Sequence, residues 1–121
     1  MLEKFSSASQ RIISLAEALA FEFNHPTVGS EHLLLGFLKC KDNQISKELN
    51  KLGIDFLSMK EKIRGLYQES DDNNIYVQYT FELKELLADS MRISDKNKES
   101  VISIESLSVA LLSNKNVATE L

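Results

Sequence analysis

The chain has 121 residues, 43% of them hydrophobic, long enough for one compact domain, 1–121. Fourteen Lys and Arg against eighteen Asp and Glu leave a formal charge of -4, with neither sign gathered into a block, which disfavours a nucleic-acid binder. Cys40 stands alone, excluding an internal disulfide and a cysteine-rich zinc site, and no eighteen-residue apolar run or signal-peptide pattern occurs, so the expectation is a soluble cytoplasmic protein with no membrane contact.

In chain order, Phe5, Ala8, Ile12, Leu15 and Leu19 recur at steps of three and four, widened by Ile13, Ala16 and Ala20. The spacing predicts a long amphipathic helix from about Ser6 to Phe23, ended by Asn24-His25-Pro26 because proline lacks the N–H a continuing helix needs. Thr27 to Leu38 then reads as a polar turn leading into a second helix. Ser30 offers a capping hydroxyl, Glu31 complements the helix dipole, and Leu33, Leu34, Phe37 and Leu38 form a buried stripe. Ile45, Leu49 and Leu52 mark a third helix closed by Gly53, and Phe56, Met59, Ile63 and Leu66 a fourth.

Glu69 to Asn74 has no apolar anchor and is the candidate linker, spanning about 70–78. Beyond it, Leu83, Leu86, Leu87, Ser90 and Ile93 predict a fifth helix, and Ile104, Leu107 and Leu111 a sixth. Ile75-Tyr76-Val77 is too short to make a sheet, so no strand is expected and the fold class is all-α.

The second half repeats the first. A shift of 79 − 5 = 74 residues sets Phe5 on Tyr79, Ile12 on Leu86, Leu19 on Ile93, Val28 on Ile102, Glu31 on Glu105 and Leu38 on Leu112. The shared order of long helix, turn, Glu and short helix argues for duplication. Repeat one covers about 1–69 and repeat two about 79–121, the two forming a pseudo-twofold helical bundle in which each repeat aims its acid at solvent. Met1, Leu2 and Phe5 are expected either to fray or to cover the seam between repeats.

Phe5, Ala16, Ala20, His25, Val28-Gly29-Ser30-Glu31-His32-Leu33-Leu34-Leu35-Gly36 and Leu52-Gly53 resemble the Clp N-terminal domain, a duplicated module at the front of Clp AAA+ unfoldases, and most of all its ClpC branch. Repeat two departs from the pattern: Ser103-Ile104-Glu105-Ser106 stands where the family has a second Gly-Thr-Glu-His. The resemblance implies four helices per repeat, so the last helix is expected to be missing or truncated at Leu121. It implies docking of protein substrates and adaptor proteins for a Clp ATPase and protease assembly, with no cofactor and no metal.

For ClpC-type domains it further implies recognition of phosphorylated arginine, one site per repeat. Glu31 and Glu105 would hold the guanidinium, with the turns Gly29-Ser30 and Ser103-Ile104 lining the phosphate side and Val28 and His32 completing the first site. A helix N-terminus and a nearby carboxylate suit those two groups. Ile104 lacks the family hydroxyl, so site one is expected to be competent and site two weakened or lost. On spacing alone, Glu31 and Glu105 read first as dipole-complementing acids.

No Gly-x-x-x-x-Gly-Lys-[Ser/Thr] phosphate cradle occurs, so nucleotide hydrolysis and catalytic residues are not expected. Three other readings stay open. A stand-alone regulator of the same fold, like plant ClpT-like proteins, would bind the Clp protease complex. A small enzyme would be built on His25, Glu31 and His32, although no third metal ligand has matching spacing. A helical DNA reader would have to use leucines and an acid at base edges.

Overall fold

Six α-helices and two very short strands make up the computed structural model, which describes residues 2–40, 43–66 and 78–113. A 3-10 turn (Leu2–Lys4) leads into α1 (Ser7–Glu22), followed by β1 (Thr27–Val28), α2 (Ser30–Lys39), α3 (Gln44–Lys51) and α4 (Phe56–Arg64). After β2 (Gln78–Tyr79) come α5 (Phe81–Lys96) and α6 (Ile104–Ser113). The expected linker lies outside the described residues except for Gln78, which is in β2; residues 114–121, and with them the expected truncation at Leu121, lie outside them as well.

Ser6 caps α1 by accepting the Ser9 N–H, and Thr80 caps α5 by accepting the Leu83 N–H. Each long helix ends in a Schellman turn. Asn24, at φ 55°, donates to the Phe21 carbonyl and His25 to that of Ala20; Lys98, at φ 57°, donates to Asp95 and Glu99 to Ser94. α1 therefore stops because Asn24 takes the left-handed conformation, one turn element before Pro26 acts. Gly53, at φ 84°, closes α3 in the same way.

The all-α fold class holds, and only the expectation of no strand needs correction. β1 and β2 pair in parallel, Thr27 with Gln78 and Val28 with Tyr79, while Phe5 and Ile102 form a separate parallel bridge. These are one arrangement seen twice: a shift of 74 residues carries the Val28–Tyr79 pair onto Ile102–Phe5. The bonds match too, the Thr80 N–H donating to the Val28 carbonyl at 2.9 Å and the Ser6 N–H to the Ile102 carbonyl at 2.9 Å. Phe5 thus covers the seam, and each repeat is completed by a strand from the other.

The main core gathers Ile12, Ile13, Ala16, Leu34, Phe37 and Leu38 with Leu83, Leu86, Leu107 and Leu111. A second cluster of Leu19, Phe23, Leu35 and Ile63 fastens α4 to α1 and α2. At the α1–α2 crossing, a Cβ on Gly36 would lie 2.6 Å from the Ile12 carbonyl oxygen, so glycine sets how closely the two backbones approach. Three expectations fail at the edges. Ala8 is exposed while Ser9 turns inward to donate to the Ile102 carbonyl at 3.0 Å; Leu52 and Leu66 face solvent; and Leu112, matched with buried Leu38, is exposed.

Candidate functional site

The start of α2 and the start of α6 are equivalent in sequence and differ in setting. The N-cap of α2 is Gly29, so the expected capping role of Ser30 is not realised; Ser30 is the first helical residue and is buried. Capping runs backwards here. The Gly29 N–H donates to His32 Nδ1 at 2.9 Å, the second half of a capping box with histidine in the place usually held by Glu or Gln.

Glu31 overturns the expectation that it faces solvent. Only 1% of it is exposed, and its carboxylate lies over Gly29, occupying the space where a Cβ would come within 2.5 Å of both oxygens. Gly29 has an extended backbone, φ -117° and ψ -176°, so it is needed for room and not for conformation. Val28, Gly29, Ser30, Glu31 and His32 are all buried. The structure brings the five first-repeat residues together, but in the interior.

His32 is fully buried, and burial together with the neighbouring His25 pushes its pKa down to about 4. Its Nε2 lies 2.9 Å from His25 Nδ1, and His25 Nε2 lies 3.2 Å from the Arg64 carbonyl at the end of α4. Glu31 Oε1 is 3.4 Å from His32 Nδ1, and with His32 neutral this is no ion pair at neutral pH. Pro26 and Gly29 intervene between the two histidines, so no helical spacing relates them; the Schellman turn and the β1 seam fold one ring onto the other.

In repeat two, Glu99 stands at the position of His25 and Ser106 at that of His32. Glu99 accepts from the hydroxyls of Ser103, at 2.9 Å, and Ser106, at 2.7 Å, and these bonds hold its carboxyl below the usual range. Ser103 in turn caps α6 by accepting the Ser106 N–H at 3.2 Å. Ser103 and Ile104 are half-buried, and Glu105 is exposed. Ile104 and Glu105 line a shallow, partly open cleft of about 20 Å³ with Phe37, Asn43, Gln44 and Ile45, between the starts of α3 and α6. Its apolar walls come from both repeats, a juxtaposition that no local pattern in the sequence signals.

A family profile of the Clp repeat N-terminal domain matches residues 4–121. The chain belongs to that family. Among its relatives, a probable ATP-dependent Clp protease ATP-binding subunit of Chlamydia pneumoniae is 34% identical over 76 residues, 63% of this chain and 9% of the relative. The negative regulator of genetic competence ClpC/MecB of Bacillus subtilis is 24% identical over 112 residues, 93% of this chain and 14% of the relative. This Clp repeat domain therefore spans about a tenth of the length of these relatives. The fold agrees with solved Clp N-domains: that of ClpD from Arabidopsis thaliana has a TM-score of 0.74 at 16% identity, covering 93% of this chain and 78% of that one. A complex of the ClpV N-domain with a VipB peptide has a TM-score of 0.73 at 23% identity, covering 93% of this chain and 70% of that one. Among the described residues of this Clp repeat domain, no helix is long and apolar enough to cross a membrane.

Proposed function

We propose that this Clp repeat domain is the docking module of a cytoplasmic ClpC-type ATP-dependent unfoldase, receiving protein substrates or adaptors for the ATPase and protease assembly. The observation that carries the reading is the cleft between α3 and α6, where the exposed carboxylate of Glu105 stands beside the apolar side chains of Phe37, Ile45 and Ile104. An arginine side chain has the matching chemistry: an aliphatic stem for the apolar walls and a guanidinium that a carboxylate can hold by two parallel hydrogen bonds. The VipB peptide in complex with a ClpV N-domain of the same fold supports docking of a peptide segment.

For a phosphorylated arginine, the start of α6 would supply backbone N–H groups and dipole to the phosphate. Glu99, hydrogen-bonded to Ser103, puts a negative charge on that side and works against it. Burial of the whole Val28 to His32 turn moves the proposed site to Ser103, Ile104 and Glu105, the reverse of the order expected from the Thr-to-Ile change.

Calorimetric titration with free phosphoarginine and with an arginine-bearing peptide tests the reading. Binding that is lost in Glu105→Gln and kept in Glu31→Gln supports it. Absence of heat with both ligands overturns it, and equal affinity for arginine with and without phosphate removes the phosphate half alone.

A further inference from the structure

His25 and His32 take no part in the docking cleft, yet they join two helix ends through buried polar atoms. The direction of the chain is fixed by its first donor. The Gly29 N–H can only donate, so His32 Nδ1 accepts, and neutral His32 carries its proton on Nε2. That Nε2–H donates to His25 Nδ1, leaving the His25 proton on Nε2, where it donates to the Arg64 carbonyl. This carbonyl belongs to the last turn of α4, where backbone acceptors lack helical partners. Three hydrogen bonds in series thus tie the N-cap of α2 to the last residue of α4.

We propose that the His25–His32 pair is a proton-operated latch: gaining a proton on either ring uncouples the end of α4 from the start of α2 and loosens the apolar cluster of Leu19, Phe23, Leu35 and Ile63 beneath it. Both nitrogens able to take a proton are already acceptors. A proton on His32 Nδ1 faces the Gly29 N–H, and one on His25 Nδ1 faces the His32 Nε2–H, so each turns a hydrogen bond into a clash of donors. The series breaks at one place or the other.

The charged groups around the pair set how it responds to a proton. On α2, Glu31 lies 3.4 Å from His32 Nδ1 and would receive a protonated ring that has let go of Gly29. On α4, the Arg64 guanidinium lies 5.5 Å from the centre of the Phe23 ring and 3.7 Å from Glu61, while Phe23 packs 5.1 Å from His25 and 6.3 Å from His32. An imidazolium would be a second cation at that ring and would repel Arg64. Lys60 of α4 and Glu22 of α1, paired at 3.5 Å, hold the helix from its outer side. His32 stays neutral until well below the ordinary histidine range, which places the release in acid.

Amide hydrogen exchange of the whole chain by NMR, at pH 7.5 and stepwise down to pH 4, tests the latch after correction for the intrinsic pH dependence of exchange. The expected result is a tenfold or greater loss of protection at Gly29, Gly65 and Leu66 while Leu86 and Leu87 of α5 keep theirs. In the double variant His25→Gln with His32→Gln, in which neither ring remains to be charged, the α4 amides should lose no protection relative to α5 as the pH falls. Should that variant not fold, ring nitrogen shifts of the unaltered protein decide: both rings carry Nε2–H at pH 7.5, and protection at Gly29 follows a ring titration. Loss of protection in α4 and α5 together, an Nδ1–H form at neutral pH, or exchange that follows neither ring overturns the proposal.

Discussion

The hydroxyl of Tyr79 donates to the carboxylate of Glu17, joining β2 to the middle of α1 across the boundary between the repeats. At the equivalent positions the other seam has Phe5 and Met91, an apolar pair, so the two seams are held by different forces. Burial and the Glu17 carboxylate raise the pKa of the Tyr79 phenol above its ordinary value. The raised value means that the folded state prefers the neutral phenol. Its contribution is fully present below pH 10 and is lost as the pH rises beyond it. Tyr79→Phe should cost about 1 kcal/mol at pH 7 in urea unfolding, at the low end for a bond to a charged group because both side chains are partly solvated. The same change should flatten the alkaline fall in stability.

Lys98 occupies the left-handed turn that ends α5, where a side chain is crowded and glycine is not. Lys98→Gly should raise stability by about 1 kcal/mol, read as a higher urea midpoint with unchanged slope. The companion change Asn24→Gly should gain much less, because asparagine already tolerates this conformation.

Gly36→Ala should destabilise by about 2 kcal/mol despite the better helix propensity of alanine, since the new methyl would meet the backbone of Ile12 and push α1 from α2. Gly29→Ala meets the far end of the Glu31 side chain, which can swing away. Its thermal midpoint should fall less than that of Gly36→Ala, with the Glu31 side chain displaced toward solvent.

For His32 the folded pKa, about 4, lies below the ordinary 6.5. The unfolded chain therefore binds more protons between these values, and stability falls with the pH across that window. The effect is on the order of 3 kcal/mol between pH 7 and pH 4. Glu99, with its carboxyl held low by serine hydroxyls, adds loss of the same sign at the acid end. Urea unfolding of His32→Gln against the unaltered chain separates the two, the variant losing less on going from pH 7 to pH 5.

Helical periodicity was readable because burial repeats with the helix turn, and Ile12, Leu34, Phe37, Leu87 and Leu107 all lie in the core. What escaped was decided by contacts far apart in the chain. Ser9 is inside because its hydroxyl reaches Ile102, ninety-three positions on, and nothing in its neighbourhood marks it. The two-residue strands are too short to leave an alternating pattern, and their partners lie in the other repeat. Glu31 and Glu105 match in sequence, yet the first folds back into the space left by Gly29 while Ser103 offers no such space. The acid that a motif would nominate is thus the covered one, and the one in the degenerate copy is open.

Because the strand pairs exchange partners between halves, neither half owns a complete edge. A single unit made alone would carry Phe5 and Val28 without Ile102 and Tyr79, and the groups left unpaired are the ones a second identical copy could supply about a twofold axis. The reciprocal pairing is the arrangement of a homodimer with its subunits tethered, and separating the chain between residues 66 and 78 should give two pieces that recover their seams by recombining.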